Sequence, residues 1–173
     1  SLPQIRGEPL VRDLDGDGAA EILVAAGDGR VYAIGTPEDL RFEPRTIGYW
    51  KHQCTIEVPL GDHLGIPQSF VDAIRTESRV FSNVAAKSDV CAILQGPRGD
   101  DMRARAEQQL IALWLNFVSG LVDRGAPIEL PITNAKTVGE ALGDAETVLL
   151  TSSLRADLER AKDVCDALNN GRR

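Results

Sequence analysis

Between Asp13 and Glu21 the chain reads Asp-Leu-Asp-Gly-Asp-Gly-Ala-Ala-Glu, with carboxylates at the first, third, fifth and ninth positions and a glycine at the sixth. Carboxylates at alternate positions of a tight loop converge on one point, and without a cation between them they repel one another strongly. Calcium answers that need, being a hard cation that takes about six to eight oxygen ligands. Gly18 permits the sharp turn, and the main-chain carbonyl of Ala19 supplies a further oxygen. The expected ligands are therefore Asp13, Asp15, Asp17, Ala19 and Glu21, and the expected cofactor is Ca2+.

The flanks decide what kind of loop this is. An EF-hand requires helices on both sides and a bidentate Glu at the twelfth position. Here the twelfth position is Val24, inside the apolar run Glu21–Ala26, so Glu21 has to close the site. Leu10–Asp13 reads as a short strand before the loop. The turn Gly27-Asp28-Gly29-Arg30 suits a tight hairpin, because Asp-Gly accepts left-handed dihedrals, and Val31–Ile34 is the return strand. The expectation is a three-stranded meander.

The segment Asp13–Ile34 resembles the FG-GAP (VCBS-like) repeat of calcium-binding β-propellers, in which such a loop joins two strands of a blade and the metal is structural. Glu21 stands where that family more often has Asp, a longer side chain with the same charge. The resemblance covers about one repeat, residues 9–35. A single blade cannot bury both its faces, so Ile22, Leu23 and Val24 need cover, and the expectation is that the helical part supplies it rather than further blades or another chain.

Past a connector with two prolines, at 35–47, the period of the apolar residues changes. Pro67–Phe81 spaces Phe70, Ile74 and Phe81 at near-helical intervals. Asp100–Val122 is the clearest helix, with Met102, Ala106, Leu110, Leu113, Phe117 and Leu121 recurring every three or four residues. Asp100 and Asp101 are its cap candidates. Thr137–Thr151 opens on Thr137 with Glu140 three residues on, the pattern of a capping box. Ser153–Leu168, capped by Ser153 and stopped by Asn169-Asn170-Gly171, is the last. The expected fold class is α+β: a small calcium-bound β-meander with its linker over 1–46, and a bundle of about four α-helices over 47–173.

A second motif opens that helical part: Gly48-Tyr49-Trp50-Lys51-His52. With Leu113-Trp114-Leu115-Asn116 and the closing Cys165-Asp166-Ala167-Leu168-Asn169-Asn170-Gly171, it resembles the Gly-Tyr/Phe-Trp-Lys-Asn/His-His domain of secreted and cell-surface bacterial proteins. Gln53-Cys54 departs from the His-Pro usual there. Two readings of the aromatic pair follow: Trp50 as a core plug with Lys51 snorkelling, or Tyr49, Trp50 and His52 as a small-ligand or carbohydrate site.

His52, Cys54, Asp62 and His63 lie close in sequence, and a Cys/His pair would serve a hydrolase or metal enzyme. This is the alternative to a non-enzymatic reading. Gly96–Asp100 lacks the Lys-Ser/Thr of a phosphate loop, and its Arg98-Gly99-Asp100 reads as a turn and helix cap rather than a recognition triplet. Cys54, Cys91 and Cys165 match no zinc spacing. Their pairing is open, Cys54 with Cys91 closing the shortest loop. A net charge of −7 disfavours nucleic acid as a partner. The longest apolar stretch, Leu110–Val118, falls short of the ~20 residues of a membrane span. Ser1-Leu2-Pro3 shows no leader pattern, as in a mature or excised piece. The functional expectation is a secreted, calcium-stabilised structural or adhesive module at the cell surface. Its expected partner is another protein or a second copy of itself.

Overall fold

A computed structural model describes residues 8–12, 21–27, 29–34, 40–57, 65–96 and 100–173. The chain divides into two compact units, Ser1–Arg41 and Phe42–Arg173.

The first unit carries three strands, β1 (Leu10–Arg12), β2 (Glu21–Ala25) and β3 (Val31–Ile34), in the order β1-β2-β3. Both pairings are antiparallel. Leu10 lies opposite Leu23 and Arg12 opposite Glu21; Ile22 lies opposite Ile34 and Ala25 opposite Val31. The β2–β3 turn closes with Ala26 N–H donating to the Arg30 carbonyl at 2.8 Å and Gly29 N–H to the Ala26 carbonyl at 3.1 Å. Gly29 has φ of +81°, a left-handed conformation that favours glycine. Val24 is buried, while Leu10, Val11, Ile22, Val31 and Tyr32 are exposed.

The second unit is helical: α1 (Ile47–Gln53), α2 (Gln68–Glu77), α3 (Lys87–Gln95), α4 (Met102–Val118), α5 (Val138–Thr151) and α6 (Arg155–Asn169). The chain is thus α+β, with a small antiparallel sheet and, among the described residues, six helices rather than about four. The two that periodicity did not reveal are α1 and α3. Each is only two or three turns long, and a short apolar run such as Val90-Cys91-Ala92-Ile93-Leu94 reads equally as strand or helix.

The bundle is built around α4. Every residue from Leu110 to Asn116 is buried, so this stretch has no solvent face, and α1, α2, α3, α5 and α6 all pack against the helix. Asp101 caps it, accepting from Ala104 N–H at 3.2 Å. It ends at Val118 rather than Val122 because the chain turns at Gly120, whose φ is +72°. Leu121 and Val122 instead donate their N–H groups to the Asn116 carbonyl.

Helix α5 begins as its sequence implies, with Thr137 Oγ1 accepting from Glu140 N–H at 3.2 Å. The start of α6 is a correction. Ser153 does not cap it: the N-cap residue is Leu154, which has no side-chain cap, and the Ser152 hydroxyl accepts from Leu154 N–H and donates to Asp157. Gly171, φ +76°, terminates α6.

Residues 42–46, part of the connector in the sequence, are fastened to the helical unit. Phe42 forms an antiparallel bridge with Val122, and Glu43 N–H donates to the Leu121 carbonyl at 2.8 Å. A disulfide joins Cys54, at the C-terminal end of α1, to Cys91 in α3, with Cα atoms 5.8 Å apart. It spans a 37-residue separation. Replacing both cysteines with alanine is expected to lower the stability of the helical unit by about 3–4 kcal/mol, read as a lower urea midpoint. A midpoint unchanged from that of the parent would contradict it. Cys165 is buried, and desolvation pushes its thiol up to about 12, the behaviour of a core residue. No helix among the described residues is long and apolar enough to cross a membrane.

Candidate functional site

Of the expected calcium ligands, Asp13, Asp15, Asp17 and Ala19 lie outside the described residues. Glu21 is described by its backbone, as the first residue of β2. Its opposite number is Arg12, the last residue of β1. Arg12, which precedes the acidic segment, and Glu21, its last residue, are therefore held side by side by an antiparallel strand pair, so the segment is flanked by strands and not by helices. The donor chemistry of the segment, carboxylates and a main-chain carbonyl, is all oxygen and fits calcium rather than a softer metal. Among the described residues, no group of three or more His, Cys, Asp or Glu side chains could hold a metal ion.

The aromatic motif is placed in detail. Thr46 caps α1, its Oγ1 accepting from Tyr49 N–H at 3.3 Å. Trp50 is 0% exposed, so it is a core residue, and a carbohydrate platform using its face is ruled out. Tyr49 meets it edge-on at 5.1 Å between ring centroids, with the Arg45 guanidinium 5.5 Å from the Tyr49 ring. His52 is exposed, and its carbonyl accepts from Thr55 Oγ1 at 2.8 Å. Gln53 is buried and its Oε1 accepts from Gly65 N–H at 2.9 Å.

Trp50 leads into a buried polar network that joins all three motif segments. Its Nε1–H donates to Asn116 Oδ1 at 3.0 Å, and the same oxygen accepts from Arg45 N–H at 2.8 Å. Asn116 Nδ2 donates to the Arg45 carbonyl at 2.9 Å and to Asn169 Oδ1 at 3.0 Å. Asn169 Nδ2 in turn donates to the carbonyl of Gln109 at 2.9 Å. Gly-Tyr-Trp-Lys-His, Leu-Trp-Leu-Asn and Leu-Asn-Asn are far apart in the chain, and here they are one hydrogen-bonded staple. It ties α1, α4, the end of α6 and the entering backbone at Arg45.

The nucleophile reading is overturned at Cys54. Its sulfur is bonded to Cys91, so it presents no thiolate to a substrate. Asp62 and His63 lie outside the described residues. The Arg-Gly-Asp triplet ends on Asp100, whose carboxylate pairs with Arg155 at 3.2 Å and Arg105 at 3.5 Å. Hydrogen bonding and charge from Arg155 hold this carboxyl below its ordinary range.

A second buried centre escaped the sequence reading. Glu146 on α5 is 3% exposed. Its Oε1 accepts from Ser78 Oγ at 2.5 Å, Trp114 Nε1 at 3.1 Å and Arg79 N–H at 3.2 Å. Its Oε2 faces Arg79 Nε at 3.2 Å. The signal was available: Glu146 falls on the apolar stripe of α5, between Leu142 and Leu149. A charge there implies partners waiting in the core. Arg124 packs over Phe117 at 4.2 Å and Trp114 at 5.4 Å and pairs with Glu77, closing the same side of α4.

No protein-family model, curated protein or solved structure matches this chain.

Proposed function

We propose that the protein is a secreted, calcium-stabilised structural or adhesive surface module, with Asp13, Asp15, Asp17, the Ala19 carbonyl and Glu21 as its cation ligands. The observation that carries the reading is the alternate-carboxylate spacing of a loop whose ends, Arg12 and Glu21, are paired across adjacent strands. The likenesses to the FG-GAP repeat and to the Gly-Tyr-Trp-Lys-His domain point the same way. The Cys54–Cys91 disulfide supports an oxidising, extracellular setting, since such bonds persist there and are reduced in most cytosols. Calcium outside cells is near millimolar, so a site of about 10⁻⁴ M stays largely filled and one of about 10⁻³ M is roughly half filled. Self-assembly through the open edges of the three-stranded sheet belongs to this proposal.

Scanning calorimetry in calcium, in chelator and with Asp15→Ala tests it. Calcium at ten times the dissociation constant stabilises by about 1.4 kcal/mol. For so small a unit that is a rise of roughly 5–10 °C in the melting temperature, lost in the variant. Superimposable traces with and without calcium would end the calcium reading. Light scattering of the same samples tests self-association, and a monomer in both conditions removes that part.

A further inference from the structure

An open groove of about 860 Å³ runs along the outer side of the α5–α6 hairpin, with the 131–134 loop as a third wall. Its floor is made of small apolar residues, Ala141 and Ala145 from α5 and Ala161 and Val164 from α6, each nearly inaccessible to solvent. Ile132 stands at the lip, 42% exposed.

The rim is acidic on both sides. Asp144 lies on the α5 wall, and Glu159 and Asp163 lie one turn apart on the α6 wall. Asp157 is engaged by the Ser152 hydroxyl at 2.6 Å and Asp163 by Lys162 at 2.5 Å. The Asp144 and Glu159 carboxylates are exposed, and Glu159 also feels the charge of Arg155 one turn earlier on α6. Arg160 is the single cation among the described lining residues. The accessible apolar lining is Pro131, Ile132, Val148 and Ala156, so the groove offers an apolar strip beside two negative edges.

We infer that this groove docks a short cationic, amphipathic peptide segment of a partner protein. The apolar side of that segment lies against Pro131, Ile132, Val148 and Ala156, and its lysines or arginines meet Asp144 and Glu159. The charge pattern selects this occupant. A purely apolar segment would desolvate two carboxylates without giving them partners. An anionic one would be repelled on both flanks. A small polyamine would satisfy the rim but leave the apolar strip bare. An amphipathic helix laid into a hydrophobic groove is a recurrent mode of peptide recognition, and here the rim sets its polarity. This site does not depend on the acidic loop near the N-terminus, so the two proposals fail independently.

The test uses the full chain in chelator, with a fluorescein-labelled synthetic peptide whose leucines form one helical face and whose lysines flank it. Anisotropy reads affinity and amide chemical-shift mapping reads location. The expected result is shifts concentrated on α5, α6 and the 131–134 loop. Reversing the rim with Asp144→Lys and Glu159→Lys together should weaken binding about ten-fold or more, by replacing two attractions with two repulsions. Ala156→Trp, which fills the groove from an exposed position, should weaken it similarly. The control pair Glu43→Lys and Glu57→Lys changes net charge equally on exposed sites away from the groove, and should stay within about two-fold.

Equal losses in both charge-reversed proteins would mean unspecific attraction and overturn the proposal. So would equal binding of a peptide with the same composition but scrambled leucines, which would leave only a polycation site. Shifts mapping elsewhere, or no binding, would overturn it as well.

Discussion

Replacing Asn116 with leucine is expected to destabilise the helical unit by about 3–5 kcal/mol, although leucine is the more apolar residue and nearly the same size. The reason is what Asn116 leaves behind. Its Oδ1 accepts from Trp50 Nε1 and Arg45 N–H, and its Nδ2 donates to the Arg45 carbonyl and Asn169 Oδ1. Leucine satisfies none of these. The backbone groups at Arg45 are part-buried and can recruit water, whereas Trp50 Nε1 and Asn169 Oδ1 are buried and stay unpaired. Each such orphan costs about 1–3 kcal/mol. The loss also frees the entering backbone from α4, so hydrogen exchange at Glu43 and Arg45 should rise with the fall in stability. A urea midpoint within error of the parent would show that the three motif segments are not tied through this side chain.

The second large effect is expected at Glu146, where the comparison of two substitutions is more informative than either alone. Glu146→Ala removes the acceptor of Trp114 Nε1, Ser78 Oγ and Arg79 N–H together and leaves a small cavity, for a loss of about 3–4 kcal/mol. Glu146→Gln can place its carbonyl where Oε1 was and keep all three donors. It gives up the Oε2 contact with Arg79 Nε, but the Arg79 side chain is 56% exposed and returns to water. An ion pair of that kind is worth about 0–1 kcal/mol, so glutamine should be the mild substitution by a wide margin. Urea unfolding of the two variants decides it. Equal losses would mean that the negative charge itself, not the triple acceptor, holds this side of α4 to α5.

Both centres bear on what the motifs are for. The motif residues Trp50, Asn116 and Asn169 are buried and joined by hydrogen bonds, while Trp114, also buried, donates to Glu146. They specify how α1, α4 and α6 assemble. The residues free to meet a partner are others: the exposed rim of the α5–α6 groove and the uncovered strand residues Val11 and Val31.

The strands, the hairpin turn at Gly29, the cap at Thr137 and the long apolar stripe of α4 were all legible in the sequence, because each depends on neighbours a few residues away. Alternation, a 3.6-residue period, a hydroxyl before a helix and a glycine at positive φ are local signals, and they set the α+β class before any packing is known. What the sequence left open was decided by contacts over long separations. Which cysteines pair, and so why Cys54 is no nucleophile, depends on α1 lying beside α3. Whether Trp50 faces solvent depends on Asn116, 66 residues later. Glu146 has its meaning only once Ser78, Arg79 and Trp114 surround it, and the groove exists only because α5, α6 and the 131–134 loop enclose it. Local pattern determines which elements form; the burial and pairing of polar groups between elements are properties of the assembled chain.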